Sequence, residues 1–355
     1  RRTEPKKAKG SSKLGLFLKI TLILATSALI CVTAYFVYLT KKAEHAVNSA
    51  YEVVENREVS EKREVKVEPV KDNVSILFVG VDDSEARGQG AEGSRSDALM
   101  LATLNNQTKT IKLLSIPRDS YVYIPYVGYK DKINHAHAYG STLASIETIE
   151  ELLDIPVDYY VRMNFNAFIE VVDALGGIEA EVPYTITGEK DEFDRNTVSL
   201  QPGLQTLNGH QALALARTRK QDNDIERGKR QQEILKAIIT KAASASALTK
   251  YDDVLEAVGD NMKTDMTFKE MKSFISYLSN GVPRIDSITL QGYDDMSTGV
   301  YYYKLDEESL EETQHILQSH LGLIPDSSNV SEAPTNALLE DGILMSASCN
   351  NAIVS

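Results

Sequence analysis

The feature that most constrains this sequence is an apolar run of 20 residues without a charge, residues 20–39. As a helix rising about 1.5 Å per residue, this run would extend about 30 Å, the thickness of a membrane's hydrocarbon core. The run ends in Tyr35, Phe36 and Tyr38 and is followed by two lysines, as is typical of a membrane interface. A cleaved signal peptide is the alternative, but its apolar stretch would be shorter. The sequence therefore predicts one transmembrane helix over residues 14–39.

The charges on either side of the run predict its orientation. Six basic residues and one acidic residue lie within residues 1–13, whereas only two basic residues follow the run directly. The positive-inside rule then places the N-terminus in the cytoplasm and the rest of the chain outside the cell. The whole chain has a net charge of −13, which argues against a general nucleic-acid-binding protein. We therefore expect a single-pass protein of the cell membrane with an extracellular domain.

The composition after the run indicates one further domain. Residues 1–13 would be a cytoplasmic stub, which is too short to fold on its own. Residues 40–72 are dense in charge and predict an extracellular stalk, whereas residues 73–322 alternate strand-like and helix-like patterns and predict one α/β domain. Residues 323–355 show no periodicity and predict a flexible tail. The two cysteines, Cys31 and Cys349, are too few for a disulfide scaffold or a Cys-rich zinc site.

Within the domain, hydrophobic periodicity and turn residues predict a series of strands and helices. A buried strand at 74–81 is followed by a Gly-rich loop and then by a β-hairpin with the turn Asn-Asn-Gln-Thr. The remaining expected elements are the hairpin strands 97–104 and 111–117, extended pieces at 121–124 and 130–134, a helix at 141–153 capped by Ser141, a strand at 157–163, a helix at 164–177, a strand at 178–186, a polar loop to about 199, helices at 208–216, 225–243, 251–258 and 267–279, a strand at 287–293 and a helix at 306–320.

The hairpin brings three candidate site residues to one edge of the predicted sheet. If its turn centres near residues 106–107, position 97 pairs approximately with position 117, so Asp97 lies beside Arg118. Asp82 follows the first strand and would join them if that strand neighbours the hairpin. Two carboxylates and an arginine suit a divalent cation together with phosphate oxygens. The alternative is that Asp82 is an ordinary loop acid and that Arg118 only pairs with Asp97 or Asp119.

A second group of candidates lies in the basic stretch 216–232. Arg217 and Arg219 are two residues apart and share a face if the segment is extended, whereas Arg227 and Gln231 share a helix face. Asp222 or Asp224 would cap that helix. A cation in its first turn opposes the helix dipole unless an anion is bound, and the arginine fork suits phosphate. The alternative is a solvated helix face with Asp–Arg pairs.

Two other groups carry weaker signals. His135 and His137 are two residues apart, with too few neighbouring ligands for zinc, so we expect hydrogen-bonded or surface histidines. The tyrosines at 121, 123, 126 and 129 favour packing in strands and turns over a sugar-binding surface.

Eight stretches between about residues 73 and 240 form a set of motifs in a fixed order: ILFVGVD (76–82), RSDALML (95–101), LLSIPRDSYV (113–122), KINHAHAYG (132–140), LLDIPVDYYVRMNF (152–165), VDALGGIEAEVP (172–183), LNGHQALALARTRKQDND (207–224) and RGKRQQ (227–232). With these stretches the chain resembles the LytR-CpsA-Psr proteins, the membrane-anchored cell-wall ligases of Gram-positive bacteria.

The resemblance implies a fold, a reaction and partners. The fold would be a three-layer α/β/α domain with a central mixed sheet, which holds a polyprenyl-pyrophosphate glycolipid with its tail in an apolar tunnel. The reaction would transfer an anionic glycopolymer, such as wall teichoic acid or capsule, as a sugar phosphate onto peptidoglycan and release polyprenyl phosphate. The cofactor would be Mg²⁺, which Mn²⁺ could replace.

By position, the resemblance also implies roles for particular residues. Asp82 and Asp97 would be the metal ligands, and either could act as the base for the acceptor hydroxyl. The phosphates would be bound by four arginines with two residues in support, namely Arg118, Arg217, Arg219 and Arg227 with Arg95 and Gln231. Some relatives carry Arg after the first Asp, whereas this chain has Asp83, so Arg87 could replace that arginine or Asp83 could share the metal.

Two other functions remain as alternatives. A polyprenyl-pyrophosphate phosphatase would hydrolyse the same donor without a glycan-linked product. A membrane-bound transcription attenuator is a label that some relatives carry, but the stub of 13 residues contains no DNA-binding unit.

Overall fold

The computed structural model describes residues 13–54, 57–82, 93–190, 197–219, 221–244, 261–279 and 281–325. The predicted helix 251–258, Asp83, Arg87, almost all of the predicted stub and most of the predicted tail lie outside these residues.

A mixed six-stranded sheet forms the centre of the domain, as predicted. Its strands are β1 Val74–Val81, β2 Ser96–Asn105, β3 Thr110–Ile116, β6 Tyr159–Met163, β11 Met262–Thr264 and β12 Arg284–Thr289, in the order β11-β6-β1-β2-β3-β12. β1 is antiparallel to β2 and parallel to β6, and β3 is parallel to β12. The β2–β3 hairpin pairs Leu99 with Ile116, so its register places position 97 opposite 118, one residue from the prediction.

Helices cover both faces of this sheet. α2 His135–Leu153 and α7 Glu307–Leu321 cover one face. α5 Asp224–Ala242 and α6 Phe268–Ser279 cover the other face, where α3 Phe165–Ala174 and α4 Gly209–Arg217 also pack. Because neighbouring strand residues point to opposite faces, each strand contributes to two cores. Leu77 and Leu101 lie in the core beneath α2, whereas Ile76 and Ala102 lie beneath α5 and α6.

Most helix starts follow from capping residues in the sequence. Asn164 caps α3, Asn208 forms a capping box with Gln211 at α4, and Thr267 and Glu270 hydrogen-bond reciprocally at α6. The predicted cap of α5 was wrong. The side chain of Asn223, rather than Asp222 or Asp224, accepts from Glu226 N.

α2 begins earlier than predicted. The helix starts at His135, and Ser141, the predicted cap, lies at an internal kink where Gly140 and Ser141 leave helical geometry. Ser141 has a φ of 56°, an unusual conformation for a residue with a side chain. The apolar spacing after 141 therefore identified only the second part of the helix.

Four two-stranded sheets surround the central sheet: β4 Tyr121–Ile124 with β5 Tyr129–Lys132, β7 Ile178–Val182 with β10 Gly203–Leu207, β8 Ile186–Lys190 with β9 Thr197–Leu200, and β13 Gly292–Asp295 with β14 Tyr302–Leu305. Three predictions fail here. The stretch 178–186 is interrupted at Pro183, the supposed polar loop before 199 carries β8 and β9, and the strand at 287–293 divides into β12 and β13. Proline cannot donate to a strand ladder, which accounts for the first break.

The segment before β1 packs against the domain. α1, Lys13–Ala50, ends with Ala43, Val47 and Ala50 buried. Within the predicted stalk, Arg57 contacts Glu150 at 2.7 Å and Arg63 contacts Asp158 at 2.8 Å. Charged residues of the predicted stalk therefore pair with partners on the domain.

The predicted transmembrane helix is not confirmed. α1 covers its residues, but among the residues that the structure describes no helix is long and apolar enough to cross a membrane.

Candidate functional site

A deep apolar cavity of about 640 Å³ lies between the central sheet and the helices α5 and α6. The sheet contributes Ile76, Phe78 and Met100 to its lining, and the helices contribute Leu235 and Phe274 among others. Gly80 and Ala102 also line it, so the strands carry small side chains where the cavity is open. This space suits a ligand with a long apolar part.

The charged residues of the cavity lie together with Gln231 at the end of the strands. They are Asp82, Asp97, Arg118, Arg217, Arg219, Arg227 and Gln231, which include all but one of the predicted site residues. Four separate segments supply them, namely the end of β1, the β2–β3 hairpin, the end of α4 with the residues after it, and the start of α5. The structure therefore joins the two groups of candidates that the sequence left apart.

A β-bulge directs Asp97 into the cavity. Ala98 pairs with Gly80 and Ser96 pairs with Val81, so Asp97 opposes no residue of β1. In a regular strand Asp97 would share a face with Leu99, which lies in the core beneath α2. The extra residue turns the Asp97 carboxylate to the cavity side instead. Bulges beside functional sites commonly redirect a side chain in this way.

Arg118 is surrounded by carboxylates. Its Nη1 lies 2.9 Å from Asp97 Oδ1, as the hairpin geometry predicted. Its Nε lies 3.5 Å from Asp119 Oδ2 and 3.6 Å from Asp224 Oδ2. Burial alone would raise the pKa of Asp119, but its hydrogen bond from Lys132 and the charges of Arg118 and Lys132 together lower it. These acids hold the guanidinium at the cavity edge.

Arg227 is the most buried cation of the site, with a side chain only 6% exposed. Burial lowers its pKa to about 10, and the charges of Arg219 and Arg118 act in the same direction, whereas Asp224 opposes them. Its Nε is buried and has no hydrogen-bond partner among the described residues. A bound anion would supply both the missing acceptor and the missing negative charge.

Asp224 organises the arginines, a role that the sequence analysis missed. Its Oδ1 lies 3.3 Å from Arg227 Nη1 and 3.5 Å from Arg219 Nε, and its Oδ2 faces Arg118. Asp224 was considered only as a helix cap. The available signal was its position three residues before Arg227 in the first helical turn, where the two side chains share a face.

The remaining polar residues frame the same opening. Arg217, at the end of α4, lies over the ring of Phe165 with its guanidinium carbon 4.3 Å from the ring centroid. Gln231 donates to the carbonyl oxygen of Ala216 at 3.2 Å, which joins α5 to the end of α4.

Arg95 is the one predicted site residue that the structure does not bring to the cavity. It is exposed, lies just before β2 and is not part of the cavity lining. Its neighbour Ser96 is buried, so the start of the strand directs Arg95 to solvent. Its predicted support of the phosphates stays a prediction.

The two histidines are hydrogen-bonded, as predicted. Nδ1 of His135 lies 2.7 Å from Asp131 Oδ2, and Nδ1 of His137 lies 2.8 Å from the carbonyl oxygen of Ser94. Among the described residues, no group of three or more His, Cys, Asp or Glu could hold a metal ion. Asp82 and Asp97 still fit Mg²⁺, since this ion usually takes one or two carboxylates and completes its shell with substrate oxygens and water.

Comparison with known proteins identifies the family. The sequence profile of the LytR_cpsA_psr family matches residues 35–319. The chain belongs to the LytR-CpsA-Psr family. This family match begins within α1 and includes the segment that packs before β1, in agreement with the packing described above.

Characterised relatives and solved structures are similar over most of the chain. The polyisoprenyl-teichoic acid–peptidoglycan teichoic acid transferase TagT of Bacillus subtilis is 40% identical over 89% of this chain and 98% of its own. A structure of TagT bound to LIIa-WTA is 41% identical, with a TM-score of 0.65 over 76% of this chain and 99% of that one. A structure of the family protein YwtF (TagT) with bound octaprenyl pyrophosphate lipid is 38% identical, with a TM-score of 0.61 over 76% and 99%.

Proposed function

We propose that this protein is a transferase that attaches a polyprenyl-pyrophosphate-linked anionic glycopolymer to peptidoglycan and releases polyprenyl phosphate. The observation that carries the proposal is the apolar cavity of about 640 Å³ that ends at four arginines. An apolar tail joined to a pyrophosphate matches both parts of this site. The names of the relatives add support, and teichoic acid is the first polymer to test.

The cavity would bind the donor's lipid tail. Burial of apolar surface yields roughly 25 cal/mol per Å², so a polyprenyl chain gains affinity along the whole cavity. Because the tail contributes equally before and during the reaction, it provides binding and orientation rather than acceleration. The arginines at the open end then hold the pyrophosphate at a defined depth.

The arginines would neutralise the pyrophosphate and the charge that develops during transfer. Arg118 and Arg227 approach from the hairpin and from α5, so they contact the phosphates from different directions. Phosphoryl transfer depends mainly on positioning and on stabilisation of charge. The acceptor hydroxyl attacks the phosphorus that carries the glycan, and the bond to the bridging oxygen breaks, so polyprenyl phosphate leaves.

The acceptor hydroxyl must lose its proton in this step. Asp82 and Asp97 are the carboxylates that line the cavity end, and either can accept the proton. Arg118 is hydrogen-bonded to Asp97, so it holds that carboxylate within the site. Peptidoglycan as the acceptor is part of the proposal. Its hydroxyl would approach the phosphates from outside the cavity.

We include Mg²⁺ in the proposal, held by Asp82 and Asp97. When bound, the ion would supply positive charge to the phosphate oxygens. The donor set fits. Without the ion, the four arginines would face four carboxylates, Asp82, Asp97, Asp119 and Asp224. Additional positive charge would therefore favour binding of a doubly charged pyrophosphate.

Membrane attachment through the N-terminal segment is also part of the proposal. Residues 20–39 contain no charge, and the side chains of Leu29 and Ile30 on α1 are about two-thirds exposed, at 66% and 67%. Attachment would keep the cavity near lipid-linked donors and raise their effective concentration. Carbonate extraction of cell membranes, with protease added to intact protoplasts, tests it; release of the protein by carbonate would oppose the proposal.

The experiment that tests the reaction uses the full-length protein in detergent with a polyprenyl-pyrophosphate-linked teichoic acid precursor. With peptidoglycan present, we expect polyprenyl phosphate and polymer on peptidoglycan in equal amounts. Release of polyprenyl phosphate with no polymer-linked product, at every acceptor concentration, would instead identify a phosphatase. Absence of both products would reject either enzyme.

The role of the metal is tested with Asp97→Asn, which keeps the shape but removes the charge that a hard cation favours. If Asp97 binds Mg²⁺, turnover falls and requires more Mg²⁺, while the melting temperature stays close to that of the wild type. If Asp97 serves only to hold Arg118, turnover falls but its dependence on Mg²⁺ is unchanged. Glu226→Gln, an exposed acid two residues after Asp224, is the control.

A further inference from the structure

The first turn of α2 lies directly behind the residues of the site, on the side of the sheet away from the cavity. His137 in this turn is fully buried, and its Nδ1 lies 2.8 Å from the carbonyl oxygen of Ser94. A carbonyl oxygen can only accept, so Nδ1 carries the hydrogen. Burial lowers the pKa of His137, and the charge of Arg162 acts in the same direction, whereas the hydrogen bond to Ser94 opposes them.

The backbone of Asn134, in the same turn, joins the two segments that carry Asp97 and Arg118. Ser96 N donates to Asn134 O at 3.4 Å, and Asn134 N donates to Arg118 O at 3.2 Å. Together with the bond to Ser94, these contacts attach the start of α2 to the two segments at three points. Each point lies within three residues of Asp97 or Arg118 in the chain.

The β-bulge explains why such a support is needed. Asp97 opposes no residue of β1, so the strand ladder does not set its position. The segment 94–96 before it is held from α2 instead, by Nδ1 of His137 and by the backbone of Asn134. A shift of this segment would move the Asp97 carboxylate relative to Arg118, whose own backbone contacts Asn134.

We infer that His137 is a positioning residue for the transferase reaction, acting through the Ser94 carbonyl to place the Asp97 carboxylate against Arg118. The kinetic part of this inference rests on the proposed function. The geometric part does not, since it concerns only where Asp97 lies.

An imidazole at this position is otherwise costly. A buried polar ring loses hydration, and Nε2 of His137 has no hydrogen-bond partner among the described residues. An apolar side chain of similar size would fill the same space without this cost. The Nδ1–H bond to Ser94 is therefore the contribution that distinguishes histidine from leucine here.

The test compares three replacements of His137 in the full-length protein. Asn places an amide N–H near the position of Nδ1, whereas Gln places its amide near Nε2 and Leu has no donor. We expect Leu and Gln to lower kcat about 10- to 100-fold, because small displacements of reacting groups have effects of this size. The KM for the lipid donor should stay within about twofold, and Asn should restore most of kcat.

His135 provides a matched control in the same turn. It is also a hydrogen-bonded histidine, but its partner is Asp131 in β5, away from the segment before Asp97. His135→Leu should therefore leave kcat within about twofold of the wild type even where it lowers the melting temperature. An equal loss of kcat in His135→Leu and His137→Leu would overturn the inference.

A crystal structure of His137→Gln provides a readout without activity. The inference expects the Asp97–Arg118 contact, 2.9 Å in the wild type, to lengthen or break, while the cavity walls stay in place. An unchanged contact, or Asn and Leu variants with equal kcat, would overturn it. If wild-type protein shows no transfer while the contact breaks in the variant, the proposed function fails but the positioning role stands.

Discussion

The two faces of the central sheet are built from the same strands but are packed differently. Beneath α2 and α7, Leu77, Leu101 and Leu114 are fully buried in a continuous core. Beneath α5 and α6, the alternate residues of the same strands border a cavity of about 640 Å³. The face beneath α2 is called here the closed face, and the other the open face.

The difference shows how one sheet can supply both stability and a ligand site. On the open face, Gly80, Ala98 and Ala102 leave space that larger residues would fill. On the closed face, Ala144, Ile146 and Ile149 of α2 are fully buried in the core with the strand residues. The closed face is therefore filled, whereas the open face can hold a ligand.

Adjacent residues of β2 test this comparison most strongly. Leu101 belongs to the closed face and is fully buried, whereas Met100 lines the cavity. Leu101→Ala should lower the free energy of unfolding by about 2–5 kcal/mol, because it leaves a cavity in a filled core. Met100→Ala should lower it by less than about 1.5 kcal/mol, since it enlarges a space that already exists. Urea denaturation of both variants measures the difference, and equal losses would contradict it.

The second test concerns the edge of the open face. Arg118→Ala should raise the barrier to transfer by about 2–4 kcal/mol, or about 30- to 1000-fold in kcat, because it removes charge placed on the phosphates. Its melting temperature should stay near that of the wild type. Arg284→Ala is the control, since Arg284 lies on the same sheet in β12 with a side chain 73% exposed. Unchanged turnover of Arg118→Ala at saturating donor would remove Arg118 from the site.

The third test concerns the end of the closed face, where His320 of α7 joins β2 and β3. Its Nδ1 and Nε2 each lie 2.8 Å from a threonine hydroxyl, of Thr103 and Thr110 respectively. Burial lowers its pKa to about 4, and the charges of Lys112 and Arg284 act in the same direction, whereas Asp286 opposes them.

The sign of the pH effect follows from this pKa. Below about pH 6.5 the unfolded chain binds a proton at His320 that the folded protein does not bind, so stability falls until about pH 4. The loss is at most about 3 kcal/mol. Burial raises the pKa of Asp265 to about 6, which has the opposite effect on stability. The measurement therefore compares the His320→Gln variant with the wild type. His320→Gln should flatten the decline in urea stability between pH 6.5 and 4, and an unchanged slope would exclude His320 as its cause.

Much of the central sheet could be predicted from the sequence because its signals are local. The β-branched run at 74–81 and the hairpin turn after β2 each act within a few residues. The same hairpin predicted the contact between Asp97 and Arg118, since one turn determines the register of both strands.

The parts that could not be predicted depend on contacts between distant segments. The bulge at Asp97 arises from the pairing of β1 with β2, and the early start of α2 from its contacts with Ser94 and Ser96. The segment 51–72 looked like a stalk because its charges are dense, yet Arg57 and Arg63 have partners about 95 residues away in the chain. Charge density alone does not distinguish a solvated segment from one with distant partners.

The last test reverses the first by adding volume to each face. Ala102 lines the cavity, and Ala144 is fully buried on the closed face. Ala144→Leu should lower the free energy of unfolding by about 1–3 kcal/mol, because extra methyl groups force neighbouring side chains out of place. Ala102→Leu should change it by less than about 0.5 kcal/mol, since the cavity accepts the larger side chain.

The leucine added in Ala102→Leu would also occupy space for the lipid tail. The rise in melting temperature on adding octaprenyl pyrophosphate should therefore be smaller in this variant than in the wild type, while a short prenyl pyrophosphate should bind as before. A large loss of stability in Ala102→Leu would show that the open face is packed in solution. An unchanged response to the long lipid would show that the tail does not lie along this part of β2.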